Sequence, residues 1–122
     1  MLFSLCVVLT SAMPAAASAA TVMVLGFGSV TCGSWSTARA KRDWQTSESL
    51  NWYPYNAWIQ GYLTAQQTGI PELTPILQRL DADAITAWVD NYCAAHPLDD
   101  LDAASLKLTF ELVDKIPTRR KK

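Results

Sequence analysis

Charge is missing from the first third of the chain: no Asp, Glu, Lys, Arg or His precedes Arg39. Across all 122 residues the excess of either sign is also small, 10 Lys and Arg against 11 Asp and Glu, which excludes the strongly basic footprint of a nucleic-acid binder. Histidine occurs once, and of the three cysteines one, Cys6, lies in an apolar run near the start; the other two and a distant histidine do not fill a tetrahedral zinc site. The five glycines form no phosphate-cradling loop, and no serine or cysteine stands in a G-x-S-x-G nucleophile elbow. The length suffices for one compact core and is short for two ordinary domains. With 50% hydrophobic and 17% charged residues, the composition is not that of a disordered chain.

What stands in the uncharged third is an apolar run, LFSLCVVLTSAM over residues 2–13, followed by Pro14 and AAASAA. Signal peptidase needs small residues at the minus-three and minus-one positions, and both Ala17-Ser18-Ala19 and Ser18-Ala19-Ala20 supply them. Residues 1–20 therefore read as a signal peptide, although its basic n-region is absent and only the α-amino group supplies charge. A membrane anchor continuing through TVMVLGFGSV is the competing reading. Pro14, Gly26 and Gly28 break that stretch, whereas a span needs ~20 consecutive apolar residues. No stable membrane insertion is expected after cleavage, and the location expected is the periplasm or the exterior. Cys6, inside the apolar run, leaves with the leader.

Cys32 and Cys93 then remain. In an oxidising compartment an even pair reads as a disulfide, with free thiols as the alternative. Closing so long a loop is worth ~4 kcal/mol in the chain-entropy picture, a large share of a small domain's stability.

Hydrophobic periodicity predicts an all-α body over 34–114, preceded by an extended segment over 21–33 and followed by a basic, flexible tail over 115–122. Tyr55, Trp58, Ile59, Tyr62 and Leu63 recur at spacings of three and four after Pro54, as do Ile85, Trp88, Val89, Tyr92 and Cys93 after Asp81 or Asp83. The acids are natural caps. The second helix should end by His96, because Pro97 disfavours helical geometry in the residue before it. Asp99 or Asp100 then starts a third long helix with two apolar rows. One is Leu101, Ala104, Leu108 and Leu112; the other is Ala103, Leu106, Phe110 and Val113. A further helix begins near Ser34 or Ser36 and carries Trp35, Ala38 and Arg39. A short one follows Thr74-Pro75 with Ile76, Leu77 and Leu80 inward. TVMVLGFG is the one β-rich stretch, and with no partner strand it is expected to lie extended across the helices.

Catalytic chemistry finds little support. His96 sits in a turn beside Asp99 with no nucleophile in context, and the carboxylates Asp81, Asp83, Asp99, Asp100 and Asp102 stand at helix starts, where capping accounts for them. The expectation is a non-enzymatic protein without cofactor or metal. Trp58, Tyr62, Trp88 and Tyr92 lie on helical stripes and read as core. Trp44, Trp52 and Tyr53 lie in or beside the polar linker DWQTSESLNWYPY, where exposure would let them anchor a protein partner or a glycan. They are the candidate partner-binding residues, together with Asp99 and Asp100. Between Arg39 and Asp114 there are 5 basic against 11 acidic residues, while 115–122 carries 5 basic residues and no acid.

The order CGSWSTAR, WIQGYLTA and DADAITAWVDNYCAAHPLDDLDAASLKL, over about residues 32–112, resembles the small exported helical proteins that group HdeA-like acid-stress chaperones with Tai-type immunity proteins against type VI amidase effectors. Gly61-Tyr62, Trp88, Asn91-Tyr92-Cys93, Pro97 and Ala103-Ala104 carry the likeness. It implies a small orthogonal bundle of four to five helices in which the two cysteines tie helices together, Gly61 permits close helix approach and Pro97 sets a turn. It also implies a protein partner, a peptidoglycan amidase in the immunity form, for which the acidic body would complement a basic rim, and a homodimeric state in some members. The alternatives are an acid-stress periplasmic chaperone and an envelope interaction protein of a secretion, phage or virulence system.

Overall fold

A computed structural model describes residues 22–41 and 51–117. These form a small all-α bundle of five helices: α1 (Cys32–Ala40), α2 (Tyr53–Gly69), α3 (Thr74–Leu77), α4 (Ala82–Ala95) and α5 (Leu101–Val113), with no strand among the described residues. Short 3-10 turns at Gly26–Ser29 and Pro71–Leu73 lead into α1 and α3. The expected signal peptide, Trp44 and residues 118–122 of the basic tail lie outside the described residues.

Helices α4 and α5 start where a side chain satisfies one of their free N–H groups, whereas α2 has no side-chain cap. The Asp81 carboxylate accepts from the Ala84 amide at 2.7 Å and opens α4; the Asp100 carboxylate accepts from the Ala103 amide at 2.8 Å and opens α5. Pro54 occupies the first turn of α2. At the other end of α4, His96 adopts φ −131° and ψ 62° ahead of Pro97, so the helix stops there.

Helix α1 corrects two expectations. It begins at Cys32 rather than near Ser34 or Ser36, because Thr31 caps it: Thr31 Oγ1 accepts from the Ser34 amide at 3.2 Å. The segment before it is extended only in part, since Gly26–Ser29 turns, with Gly26 at φ 68°, a conformation that glycine adopts without strain. Gly28 is needed for a different reason. A methyl group there would overlap the Trp58 ring, so this turn can press against α2 only without a side chain. Trp58 Nε1 fastens the same contact by donating to the Leu25 carbonyl at 2.8 Å.

The chain then runs antiparallel past the loop between α4 and α5. The Leu101 amide donates to the Val30 carbonyl at 2.9 Å, and the amides of Cys32 and Gly33 donate to the carbonyls of Asp99 and Pro97 at 2.7 and 3.0 Å. Two N–H groups that a helix start leaves open are thereby paired by a neighbouring loop. The Cys32–Cys93 disulfide, with a Cα separation of 4.7 Å across 61 positions, joins the start of α1 to the last turn of α4. Both cysteines are buried among Trp35, Ile59, Leu63, Leu73, Val89, Leu101, Leu108 and Leu112.

Ile76, Leu77 and Leu80 of the short helical stretch face inward, half-buried against the core, as expected, and Leu73 just ahead of α3 is fully buried beside them. Two further expectations change. The second row of α5 is not core. Leu106 is 42% and Phe110 57% exposed, because Leu101, Ala104, Leu108 and Leu112 already take the buried side of the helix. Gly61 is exposed with nothing within 4 Å of the position a Cβ would take, so it does not mediate a close helix contact. Burial of Ser105 and Thr109 on α5 is compensated locally, their hydroxyls donating to the carbonyls of Leu101 and Ser105 at 2.7 and 2.9 Å.

Candidate functional site

Trp35 and Arg39 stand four positions apart on α1 and so share a face. On that face both reach Asp90 of α4. Trp35 Nε1 donates to Asp90 Oδ1 at 2.8 Å, while Arg39 Nε and Nη2 engage both carboxylate oxygens, the shortest contact being 2.7 Å. A fork of this kind fixes orientation as well as distance. The arginine side chain is 13% exposed and the aspartate side chain 36%. Among the described residues, Arg39 Nη1 is buried without a hydrogen-bond partner.

Trp52 closes over this pair. Its ring centroid lies 4.7 Å from the Arg39 guanidinium carbon and meets Trp35 edge-on at 6.4 Å. Tyr53 stacks on Trp52 at 4.5 Å and is 53% exposed. Guanidinium, indole and phenol thus form a graded stack from nearly buried to open. Beside it lies a cavity of about 480 Å³ lined by Arg39, Trp52, Tyr53, Asp83, Thr86, Ala87 and Asp90. Thr86 is already bonded, donating to the Ala82 carbonyl at 2.7 Å. Asp83, exposed in the first turn of α4, has no hydrogen-bond partner among the described residues; the capping role at that helix belongs to Asp81.

The other two sequence candidates lie elsewhere. Asp100 caps α5, and Asp99 accepts the Tyr92 hydroxyl at 2.6 Å. That hydrogen bond, followed by burial and the charges of Asp99 and Asp100, pushes the Tyr92 phenol up to about 12. Tyr92 is the middle of a ladder on α4, with Trp88 stacked at 5.3 Å and His96 at 4.5 Å. His96 Nδ1 is 4.0 Å from Asp99 Oδ2, outside hydrogen-bond reach. Nearby, burial and then the charge of Asp100 raise the Asp102 carboxyl, and burial and then Asp102 raise the Tyr62 phenol. Asp99 and Asp100 meet the N-terminal end of α1, and Trp52 and Tyr53 its Arg39 end, so the helix length, about 13 Å, separates the two pairs.

Sequence reading did not single out Arg39, Asp83 and Asp90 as site residues. The Trp35 to Arg39 spacing was a usable signal, but the partner of that face was not. Among the described residues no group of three or more His, Cys, Asp or Glu could hold a metal, and no helix is long and apolar enough to cross a membrane. Comparison with family models, curated proteins and solved structures finds no match to the chain.

Proposed function

We propose that the protein is an exported, non-enzymatic protein-binding domain, immunity- or inhibitor-like toward a cell-wall hydrolase such as a peptidoglycan amidase. The observation that carries this reading is the half-exposed Tyr53, held on Trp52 and Arg39 at the edge of a cavity. Tyr, Trp and Arg are the side chains in which interface energy concentrates, and here they are positioned in advance by an ion pair and a stack. The disulfide supports an oxidising compartment for the folded protein. The test is a titration of the purified, oxidised protein into a purified peptidoglycan amidase of the same cell envelope, followed by muropeptide release. Stoichiometric inhibition is expected; hydrolysis at the uninhibited rate throughout the titration removes the reading.

An acid-chaperone role is favoured by a separate observation. Several side-chain ties between elements end on carboxylates: Trp35 and Arg39 on Asp90, Trp88 on Glu111, and Tyr92 on Asp99. Neutralising such acceptors weakens the bonds they receive. Suppressed aggregation of a model client in strong acid would support that role, and unchanged light scattering would remove it.

A further inference from the structure

We infer that the cavity at Tyr53 receives an arginine side chain of the protein partner, a deduction that rests on the protein-binding reading above. Two carboxylates, Asp83 and Asp90, and one guanidinium, Arg39, line the cavity. Asp90 is engaged by Arg39 and Trp35, which balances the Arg39 charge and, among the described residues, leaves Asp83 as the unpaired charge of the lining. A cation therefore complements the cavity. The open phenol face of Tyr53 selects among cations, since a planar, weakly hydrated guanidinium stacks on an aromatic ring while a compact, strongly hydrated ammonium loses more solvation. The chain already solves the same problem internally: Arg39 lies over Trp52 and forks onto Asp90. A partner arginine would repeat that arrangement one layer outward, lying on Tyr53 and pairing with Asp83. About 480 Å³ is within the ~300–1,000 Å³ of small-ligand sites, enough for one long side chain and the main chain that bears it.

The experiment titrates the oxidised protein with Nα-acetyl-arginine amide and follows NMR shifts, with the citrulline and lysine amides as a neutral isostere and a non-planar cation. Saturable shifts centred on Trp52, Tyr53, Asp83 and Ala87 are expected with arginine, with about tenfold weaker binding for citrulline and for Asp83→Asn. Tyr53→Ala should weaken it comparably. Both positions are exposed, and an unchanged far-ultraviolet dichroism spectrum and a cooperative unfolding transition verify that each variant keeps its fold. Equal binding of citrulline or lysine, shifts that do not saturate, or variants that titrate like the wild type would overturn the assignment. Hydrolase inhibition without arginine-amide binding removes this site and leaves the protein-binding reading. Arginine-amide binding with no hydrolase inhibited leaves a guanidinium site and removes a hydrolase as the source of the arginine.

Discussion

Asp90 Oδ1 accepts the Trp35 indole N–H at 2.8 Å while the same carboxylate holds the Arg39 guanidinium, so one acidic side chain of α4 sets the positions of two residues of α1. Those residues carry Trp52, and Trp52 carries Tyr53. The exposed ring is thus fixed through a chain of contacts that starts at Asp90.

Removing that carboxylate leaves a guanidinium and an indole N–H without their acceptor. Asp90→Ala is expected to destabilise the fold by about 2 kcal/mol, below the ~3–5 kcal/mol of a fully buried pair because the aspartate is partly exposed. Denaturant unfolding measures it. Tryptophan fluorescence should shift as well, since Trp35 and Trp52 both lose their setting; an unfolding midpoint equal to that of the wild type would show that Asp90 does not brace α1.

The Cys32–Cys93 bridge closes a long loop, and opening it releases the unfolded chain rather than removing native contacts. Double Cys→Ser substitution should cost about 4 kcal/mol. An unfolding curve recorded with and without reductant checks this on the native sequence: the wild-type midpoint should fall with reductant, and that of the double variant should not move.

Helix α5 separates what periodicity shows from what it leaves open. Its two apolar rows are equally regular in sequence, yet one is buried and the other carries the exposed Leu106 and Phe110. Leu108→Ala should cost ~2–5 kcal/mol, and Leu106→Ser no more than ~0.5 kcal/mol. Equal losses at the two positions would place both rows in the core.

Much of the scaffold was legible for local reasons. Asp81 and Asp100 announce helix starts, Pro97 announces an end, and the spacing of Ile85, Val89 and Cys93 places the second cysteine on a buried stripe, as found. Other features depend on neighbours that spacing does not identify. Which row of α5 meets the core is decided by how many elements surround it, and the exposure of Gly61 follows from the absence of a helix opposite it. The site was legible in half. A polar linker marked Trp52 and Tyr53, but the pairing of Arg39 with Asp90, 51 positions apart, exists only once α1 lies antiparallel to α4.

Tyr92 gives a pH signature. Its phenol is raised from 10.0 to about 12, first by the hydrogen bond to Asp99. A group whose pKa is higher folded than unfolded contributes stability that is complete below the unfolded value, and is lost as pH rises through the folded one. The contribution of Tyr92 should therefore be constant up to about pH 10 and disappear toward about pH 12. Spectrophotometric titration of the wild type against Tyr92→Phe should assign the last tyrosine to ionise to Tyr92. Ionisation of Tyr92 near the ordinary value of 10.0 would contradict the bond to Asp99.

The most direct test of a protein-binding role is the affinity of the oxidised protein for a purified peptidoglycan amidase of the same cell envelope, measured by calorimetry for the wild type and for Tyr53→Ala. The expected result is a tight stoichiometric complex that weakens about thirtyfold in the variant, the factor for an interface anchor worth ~2 kcal/mol. No heat of binding, or equal affinity for wild type and variant, would contradict it.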